Sequence, residues 1–203
     1  MFMIDPASLS AKDIYKFFIG SILPRPIAFV TSMGEEEIVN GAPFSFFNIV
    51  SSDPPILSIA VQRKDHLQKD TARNILVNKE FVVHICDQEN IGKINETAAN
   101  LPSNQSEIEH ASMKRVESSK ISTPGITEAK VRIECKLEQV ITIENDDGKP
   151  TCDLILGRAV CFHIQEELYK DGKIDAQKLK PVARMAGNDY SKLGETFSIT
   201  RPI

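Results

Sequence analysis

The sequence contains no tryptophan, and its few cysteines and histidines do not form the spacings that bind metals. No two cysteines stand in a C-x-x-C pair, and no two histidines have the helical spacing of a metal site. Isolated cysteines in a chain of this size are mostly reduced core residues. We therefore predict neither a metal centre nor a disulfide framework. The cysteines are Cys86, Cys135, Cys152 and Cys161, and the histidines are His66, His84, His110 and His163.

Long apolar runs and an excess of positive charge are also missing. No run approaches the roughly 18 to 20 residues that cross a bilayer, and the formal net charge is -4. The opening segment carries Asp5 and Pro6 where a secretory signal needs basic and apolar residues. We expect a cytoplasmic protein whose partners include neither nucleic acid nor a membrane.

Two common phosphate-binding motifs are absent. The chain has no G-x-G-x-x-G turn, which a Rossmann dinucleotide site needs, and no G-x-x-x-x-G-K-[ST] loop. Any anion site must therefore be built differently.

The apolar pattern predicts a mainly β protein of a single domain, residues 1–203. Within it, a short helix or arm over 1–22 leads into the first strand, and a polar tail over 165–203 wraps the barrel or docks on a neighbouring subunit. Short strands with turn signals favour an antiparallel barrel of about six strands with peripheral helices. The predicted strands are 27–32, a return strand that begins at 38–40, 56–61, 81–86, 130–144 and 154–164.

Turns and helices follow from local signals. Residues 33–37 are predicted to form a turn, and Gly41 and Pro43 to end the return strand. A helix is predicted from about 70 to 78 with Asp70 as its cap. A second is predicted over 88–100, and a third after a capping box of Ser106 and Glu109.

The stretch 23–55 is rich in hydroxyl and amide side chains around two predicted strands. Buried groups of this kind cost free energy unless a partner satisfies them, and a bound polar ligand would be such a partner. Pro24 and Pro26 hold Arg25 on an extended backbone. The polar residues are Thr31, Ser32, Asn40, Ser45, Asn48, Ser51 and Ser52.

A second polar segment, 63–71, follows the buried strand 56–61 directly. Its cations, its hydroxyl and the free N–H groups of a helix start can bind a phosphate, although such a segment is often only a solvated charged loop. A barrel would bring this segment and the stretch before the strand to one end. A ligand with a phosphate and a planar, hydrogen-bonding head would fit both, and FMN is such a molecule. The candidate anion ligands are Arg63, Lys64, Lys69, Asp70 and Thr71.

Five short sequence segments, in their order and spacing, resemble the flavin reductase-like, FMN-binding split-barrel family. They are LPRPIAFVTS, NGAPFSFFNIVSSDPP, RKDHLQKDTARNI, RIECKL and PVARMAGNDYSKLGETFSITRP. The resemblance covers nearly the whole chain. It implies a six-stranded antiparallel split β-barrel, a homodimer, and FMN held near the subunit interface.

The resemblance also implies site residues. Thr31 and Ser32 match family positions at the end of the first strand. The isoalloxazine and ribityl would be lined by Asn40, Ala42, Pro43, Ser45 and Phe46. The phosphate would be held by Arg63, Lys64, Lys69 and Thr71, with Asp70 in the same loop. Some family members carry serines where this chain has KDHLQKD.

The implied reaction is hydride transfer from NADH or NADPH to the flavin, which needs no general acid or nucleophile from the protein. We expect Ser45 to supply a donor near the flavin N5, and Arg25 or Arg184 a cation near N1 and O2. Alternatively, Arg25 is a surface ion-pair partner, and Arg184 and Tyr190 only pin the tail.

The leading function is an FMN oxidoreductase that passes electrons to free flavin, a partner monooxygenase, ferric iron or another acceptor. The alternative is an FMN-binding electron carrier without direct nicotinamide activity. Of the three neighbouring aromatics Phe44, Phe46 and Phe47, at least one is expected in the core. His163, on an alternating strand, is expected to be structural.

Overall fold

The structure is a computed structural model that describes residues 1–34, 37–99 and 101–202. The strands are β1 (Arg25–Pro26), β2 (Ala28–Met33), β3 (Val39–Phe44), β4 (Phe47–Ser52), β5 (Pro55–Gln62), β6 (Glu80–Ile85), β7 (Arg115–Val116), β8 (Gly125–Ile126), β9 (Val131–Glu144), β10 (Pro150–Ile164), β11 (Tyr169–Lys170), β12 (Lys173–Ile174), β13 (Val182–Arg184) and β14 (Tyr190–Lys192). The helices are α1 (Ala11–Ser21), α2 (Asp70–Asn78), α3 (Ile91–Glu96), α4 (Glu107–His110) and α5 (Ala176–Leu179), with 3-10 turns at Pro6–Ser8 and Glu166–Leu168.

The main element is an antiparallel sheet of seven strands in the order β3-β2-β6-β9-β10-β5-β4. Its two edge strands, β3 and β4, are joined by only two residues, Ser45 and Phe46, so the two ends of the sheet approach each other at this link. The predicted mainly β, antiparallel class is confirmed. The sheet has one strand more than the expected six, because the segment after Phe46 forms β4.

Apolar side chains pack on both faces of this sheet. On β2, Ala28 and Val30 belong to the core inside the barrel, whereas Phe29 belongs to a second core outside it. Successive side chains of a strand point to opposite faces, so one strand serves both cores. Segment 111–129 covers the outer face, where Ala111, Met113, Ile126 and Ala129 join the second core.

The return strand β3 runs on through Gly41 and Pro43, which the sequence predicted would end it. Pro43 pairs with Phe29 of β2, while the other side of β3 lies at the sheet edge. A proline lacks an N–H donor and is tolerated in an edge strand, where one side of the backbone has no ladder. Gly41 pairs with Thr31, and a Cβ at this position would overlap the side chains of Ile108 and Phe29.

Neither of the two predicted capping bonds forms, although Ser106 is the N-cap residue of α4, as predicted. Lys69 is the N-cap residue of α2 without a side-chain cap bond, and Asp70 lies in the first turn, where it pairs with Arg73. The Ser106 hydroxyl donates to the Val39 carbonyl at 2.6 Å and makes no cap bond to α4. Tertiary contacts therefore override the local capping signals.

The other local predictions are close to what the structure shows. Of the helix predicted over 88–100, the central part forms α3, which is shorter than predicted. Residue 100 lies outside the described residues. The predicted turn 33–37 includes residues 35 and 36, which also lie outside them. On either side of that gap, the Gly34 N–H donates to the Ile38 carbonyl at 2.8 Å.

The polar tail wraps its own barrel. Strand β13 pairs with β1, with Arg184 opposite Arg25, and β14 pairs with β13. Residues 193–202 contain neither a helix nor a strand. No described helix has the length and apolar character that would let it cross a membrane.

We predict that Gly157→Ala destabilises the barrel by about 1–3 kcal/mol. A Cβ at this position of β10 would overlap the ring of Phe81, which is fully buried and has nowhere to move. Gly20→Ala in α1 is the matched control, because a Cβ there meets no atom and alanine favours a helix. Urea unfolding should show a lower midpoint only for Gly157→Ala, and equal midpoints for the two variants would contradict the prediction.

Candidate functional site

The candidate site centres on the side chain of Asn40, which is 8% exposed. Its Oδ1 accepts from the Thr71 hydroxyl at 2.8 Å and from the Ser32 hydroxyl at 3.3 Å. Its Nδ2 donates to Oε2 of Glu107 at 3.0 Å. The two polar segments predicted to meet at one end of the barrel therefore meet here, at Asn40 and Thr71.

Strand register and helix periodicity place these side chains. Ser32 of β2 lies opposite Asn40 of β3, so both project from the same face of the sheet. Thr71 and Asn74 are three residues apart on α2, on one helix face, and both are buried. The Asn74 Nδ2 donates to the Ser32 hydroxyl at 3.4 Å, which completes a network across β2, β3 and α2.

Glu107 is a site residue that the sequence did not indicate. Its Oε2 also accepts from the Gly41 N–H at 3.3 Å, on the open edge of β3. The carboxylate is 6% exposed, and burial raises the pKa of Glu107 despite these donors. The sequence around Glu107 predicts only a helix start at Ser106. Its role in the site could not be predicted, because its partners Asn40 and Gly41 lie more than 60 residues earlier in the chain.

A cavity of about 500 Å³ opens beside the network. Asn40, Asp70, Arg73 and Asn74 line it, and Ser103, Asn104 and Gln105 lie on its far wall. The first turn of α2, whose backbone N–H groups have no helical acceptors, therefore borders the cavity. Such a site suits a negatively charged group, as the sequence predicted for this segment.

Arg63 does not present a free guanidinium. Its Nε and one terminal nitrogen bind both oxygens of the fully buried Asp153, at 3.0 and 2.7 Å. Its other terminal nitrogen donates to the His66 carbonyl at 3.3 Å. A phosphate contact of Arg63 would therefore compete with this bidentate ion pair, which joins the residue after β5 to β10. Lys64 and Lys69, by contrast, are exposed.

The other predicted positions follow β3 and its continuation. Ala42 and Pro43 are half-buried in β3, and Ser45 and Phe46 are half-buried in the link to β4. Phe44 is 8% exposed and belongs to the barrel core, as expected for at least one aromatic of this group. Thr31 lies on the opposite face of β2 from Ser32, and its hydroxyl donates to the Pro124 carbonyl at 2.7 Å, away from Asn40.

The alternative of Arg25 as a surface ion-pair partner is wrong. Arg25 is 6% exposed, and its terminal nitrogens donate to the carbonyls of Ile19, Ile22 and Met185. It therefore joins the end of α1 to the tail. Among the described residues, Arg25 has no hydrogen bond to any member of the Asn40 network.

Arg184 and Tyr190 hold the tail in place. The guanidinium of Arg184 lies 4.5 Å from the ring centroid of Tyr190, a cation–π contact. The Tyr190 hydroxyl donates to Oδ1 of Asn95 at 3.0 Å. These contacts favour the pinning role that the sequence left open for both residues.

Comparison with known proteins decides the family. The sequence profile described as "Flavin reductase like domain" matches residues 19–178. The chain belongs to this flavin reductase-like family. The expected resemblance is thereby confirmed, and so is the split-barrel fold, because a flavin reductase with a split barrel domain from Shewanella frigidimarina superposes with a TM-score of 0.83 over 100% of both chains at 15% identity.

More similar family members are also known. The uncharacterized protein YwrF of Bacillus subtilis is 54% identical over 204 residues, which span 100% of both chains. Nitrilotriacetate monooxygenase component B from Bacillus cereus is 52% identical, with a TM-score of 0.96 over 98% of both chains. The 2-nitrobenzoate 2-nitroreductase NbaA of Pseudomonas fluorescens is 30% identical, with a TM-score of 0.87 over 99% of this chain and 96% of that one.

Within this flavin reductase-like protein, we predict a pH-dependent stability gain for Glu107→Gln. Burial raises the pKa of Glu107 in the folded state, whereas in the unfolded state this pKa is about 4.3. At pH values between these two pKa values, the folded state binds more protons than the unfolded state. The unfolding free energy of the wild type therefore falls as pH rises through this window. Glutamine keeps an acceptor for Asn40 and Gly41 and carries no charge.

Urea unfolding from about pH 4 to pH 7 checks this expectation, since the window starts at the unfolded glutamate pKa. The stability of Glu107→Gln relative to the wild type should increase with pH. Glu109→Gln, at an exposed carboxylate of the same helix, is the matched control. A relative stability of Glu107→Gln that stays constant with pH would refute the assignment.

Proposed function

We propose that this protein is a cytoplasmic FMN-binding oxidoreductase of the flavin reductase type. It takes a hydride from NADH or NADPH and passes electrons onward to an acceptor. FMN supplies the redox chemistry when it is bound. The protein supplies the binding site, the orientation of the reactants and the local electrostatics.

The observation that carries this proposal is the meeting of two polar segments at Asn40 and Thr71. One segment, 40–46, offers amide, hydroxyl and backbone groups along an edge strand, which suit a planar, hydrogen-bonding ring. The other offers the first turn of α2, where Asp70 and Arg73 line the cavity, and the exposed Lys69 at the N-cap position of that helix. Backbone N–H groups with an ammonium form an anion site for a phosphate.

The proposed residue roles follow from this arrangement. Lys69 and the first-turn N–H groups of α2 hold the phosphate, and Asn40, Ala42 and Pro43 border the ring system. Ser45, half-buried in the link between β3 and β4, would supply a hydroxyl donor for the flavin N5. The network of Ser32, Thr71, Asn74 and Glu107 fixes Asn40, so that its amide is preorganised.

Relatives support the choice of acceptor. The Bacillus cereus protein at 52% identity is a component of a monooxygenase, and NbaA at 30% identity is a nitroreductase. A nitroreductase reduces its substrate, and a monooxygenase consumes electrons to reduce one oxygen atom of O₂ to water, so both reactions need a supply of electrons. We propose that the present chain passes electrons to a partner monooxygenase, the role that matches the more similar of these two proteins.

We also propose a homodimer. Ile49 and Val50 of the edge strand β4 are 73% and 53% exposed, and Phe17 and Phe18 of α1 are 50% and 56% exposed. Exposed large apolar side chains of this kind are candidates for an association site. A second copy of the chain would cover them, and the resemblance places the FMN site near such an interface.

The reaction itself is tested by spectroscopy on the purified protein. We expect a yellow protein, or one that turns yellow with added FMN, whose flavin absorbance is lost on anaerobic addition of NADH or NADPH. Dithionite gives the reference spectrum of the reduced state. Bleaching by dithionite alone would support the electron-carrier alternative, and failure to bind FMN would refute both.

We predict that Lys69→Ala weakens FMN binding about 10- to 100-fold, the loss of one charge-assisted hydrogen bond. Thermal stability should stay unchanged, because the side chain is exposed. The double variant with Thr71→Ala should bind still more weakly, since it also releases Asn40. Fluorescence titration with FMN measures each affinity.

Lys12→Ala is the matched control, because Lys12 is likewise an exposed lysine at the N-terminal end of a helix, α1. It should bind FMN like the wild type. Unchanged FMN affinity in both Lys69 variants would mean that the phosphate lies elsewhere.

A further inference from the structure

We propose that Glu134, Cys161 and His163 form a binding site for a divalent transition metal of the Zn²⁺ class on the outer face of the barrel. The site is separate from the Asn40 network and does not depend on flavin binding. It provides one carboxylate, one thiolate and one imidazole ligand. A fourth coordination position stays open to solvent or a small ligand.

Strand geometry brings the three side chains together. Cys161 and His163 are two residues apart on β10, so they project from the same face. Glu134 of β9 lies directly opposite Cys161 in the antiparallel ladder. Neighbours of this kind, across and along a strand pair, are the closest that a sheet offers.

A register shift aims the two β10 residues outward. Ala159 pairs with Cys135 and both belong to the barrel core, but Cys161 pairs with Glu134, so β10 holds one extra residue between them. Without this bulge Cys161 would continue on the core face with Ala159. Bulges re-aim side chains in this way and are frequent at functional sites.

The ligand atoms already lie close to one another. One oxygen of Glu134, the sulfur of Cys161 and a ring nitrogen of His163 are all within 4.8 Å of each other. The Nε2 of His163 and Oε1 of Glu134 are hydrogen-bonded at 2.6 Å. Small side-chain shifts would bring all three to one ion at the 2.0 to 2.3 Å ligand distances of zinc.

The carboxylate is held firmly by its surroundings. Oε1 and Oε2 of Glu134 accept from the backbone N–H groups of Ser119 and Lys120 at 2.6 and 2.7 Å. These donors, together with His163, lower the pKa of Glu134 although it is buried. Outer contacts that orient a ligand in advance are typical of metal sites.

Cys161 differs from the other cysteines. Cys86, Cys135 and Cys152 are buried, and burial raises the pKa of each of these thiols. Cys161 is partly exposed, and its neighbour in the cluster, His163, lines a cavity of about 440 Å³ together with Arg132 and Gln165. An ion can therefore reach the cluster from the His163 side.

Binding requires a simple proton balance. As the metal–sulfur bond forms, the Cys161 thiol loses its proton to solvent, and no electron is transferred. Affinity should therefore increase with pH. Arg132, which lies opposite His163 in the ladder, places a positive charge beside the ion and should weaken binding.

Cobalt tests the site, because Co²⁺ in a zinc site with a thiolate ligand absorbs visible light. The full-length protein, with any flavin it carries, is stripped of metals by a chelator and titrated with Co²⁺. We expect ligand-field bands at wavelengths longer than those of the flavin, with one ion bound per chain. The thermal midpoint should rise with added metal.

Variants assign the ligands. Cys161→Ser and His163→Gln should each weaken Co²⁺ binding by at least about tenfold, and Cys161→Ser should also remove the sulfur-to-metal absorption. Arg132→Gln should strengthen binding. Cys152→Ser and His110→Gln, which change the same residue types elsewhere, are the matched controls and should bind like the wild type.

Two results would overturn the proposal. One is the absence of cobalt bands in the folded wild-type protein, which needs no variant. The other is an equal loss of affinity in the controls and in the ligand variants. Circular dichroism melts establish that each variant is folded. Either result would leave the proposed flavin function untouched, because the two sites share no residue.

Discussion

The architecture of the candidate site depends on one buried amide. Asn40 lies on an edge strand, where its side chain cannot be left without partners, because an unsatisfied buried amide costs about 1–3 kcal/mol. Four side chains from β2, α2 and α4 satisfy that requirement directly or through one neighbour: Thr71, Ser32, Glu107 and, by way of Ser32, Asn74. These hydrogen bonds, together with the burial of Ala72 and Ile75 in the barrel core, fix the position of α2 on the sheet. The cavity beside α2 is a consequence of that position.

Two arginines, Arg25 and Arg63, have structural roles in place of the cofactor-binding roles that the sequence suggested. The sequence offers Arg25 and Arg63 as cations for a bound cofactor, but both are used to hold the chain together. Arg25 binds carbonyls at the end of α1 and in the tail, and Arg63 neutralises the fully buried Asp153. Leaving a buried carboxylate without its partner costs about 3–5 kcal/mol. A ligand phosphate would have to compete with that interaction for Arg63, whereas the exposed Lys69 is free of such a cost.

The strands of the barrel serve two surfaces at once. Inner side chains fill the barrel, and outer ones pack under segment 111–129 or, beyond the bulge in β10, form the cluster around Glu134. A single extra residue transfers Cys161 and His163 from one surface to the other. This is why patterns of cysteine and histidine spacing gave no indication of the proposed metal site. Those patterns describe ligands on one helix or one loop, and here the ligands come from two strands.

Sequence periodicity alone determined the class of the fold, the central strands and the helix at residue 70, because hydrophobic alternation and helical spacing are local properties. It also determined that residues 40–46 and 63–71 are polar segments flanking one buried strand. Only the tertiary structure decided that β3 continues through Pro43, that Glu107 completes the Asn40 network and that Arg63 is committed to Asp153. Edge positions, long-range partners and register depend on which strands become neighbours. That choice is made by packing the whole chain, and no local stretch of sequence encodes it.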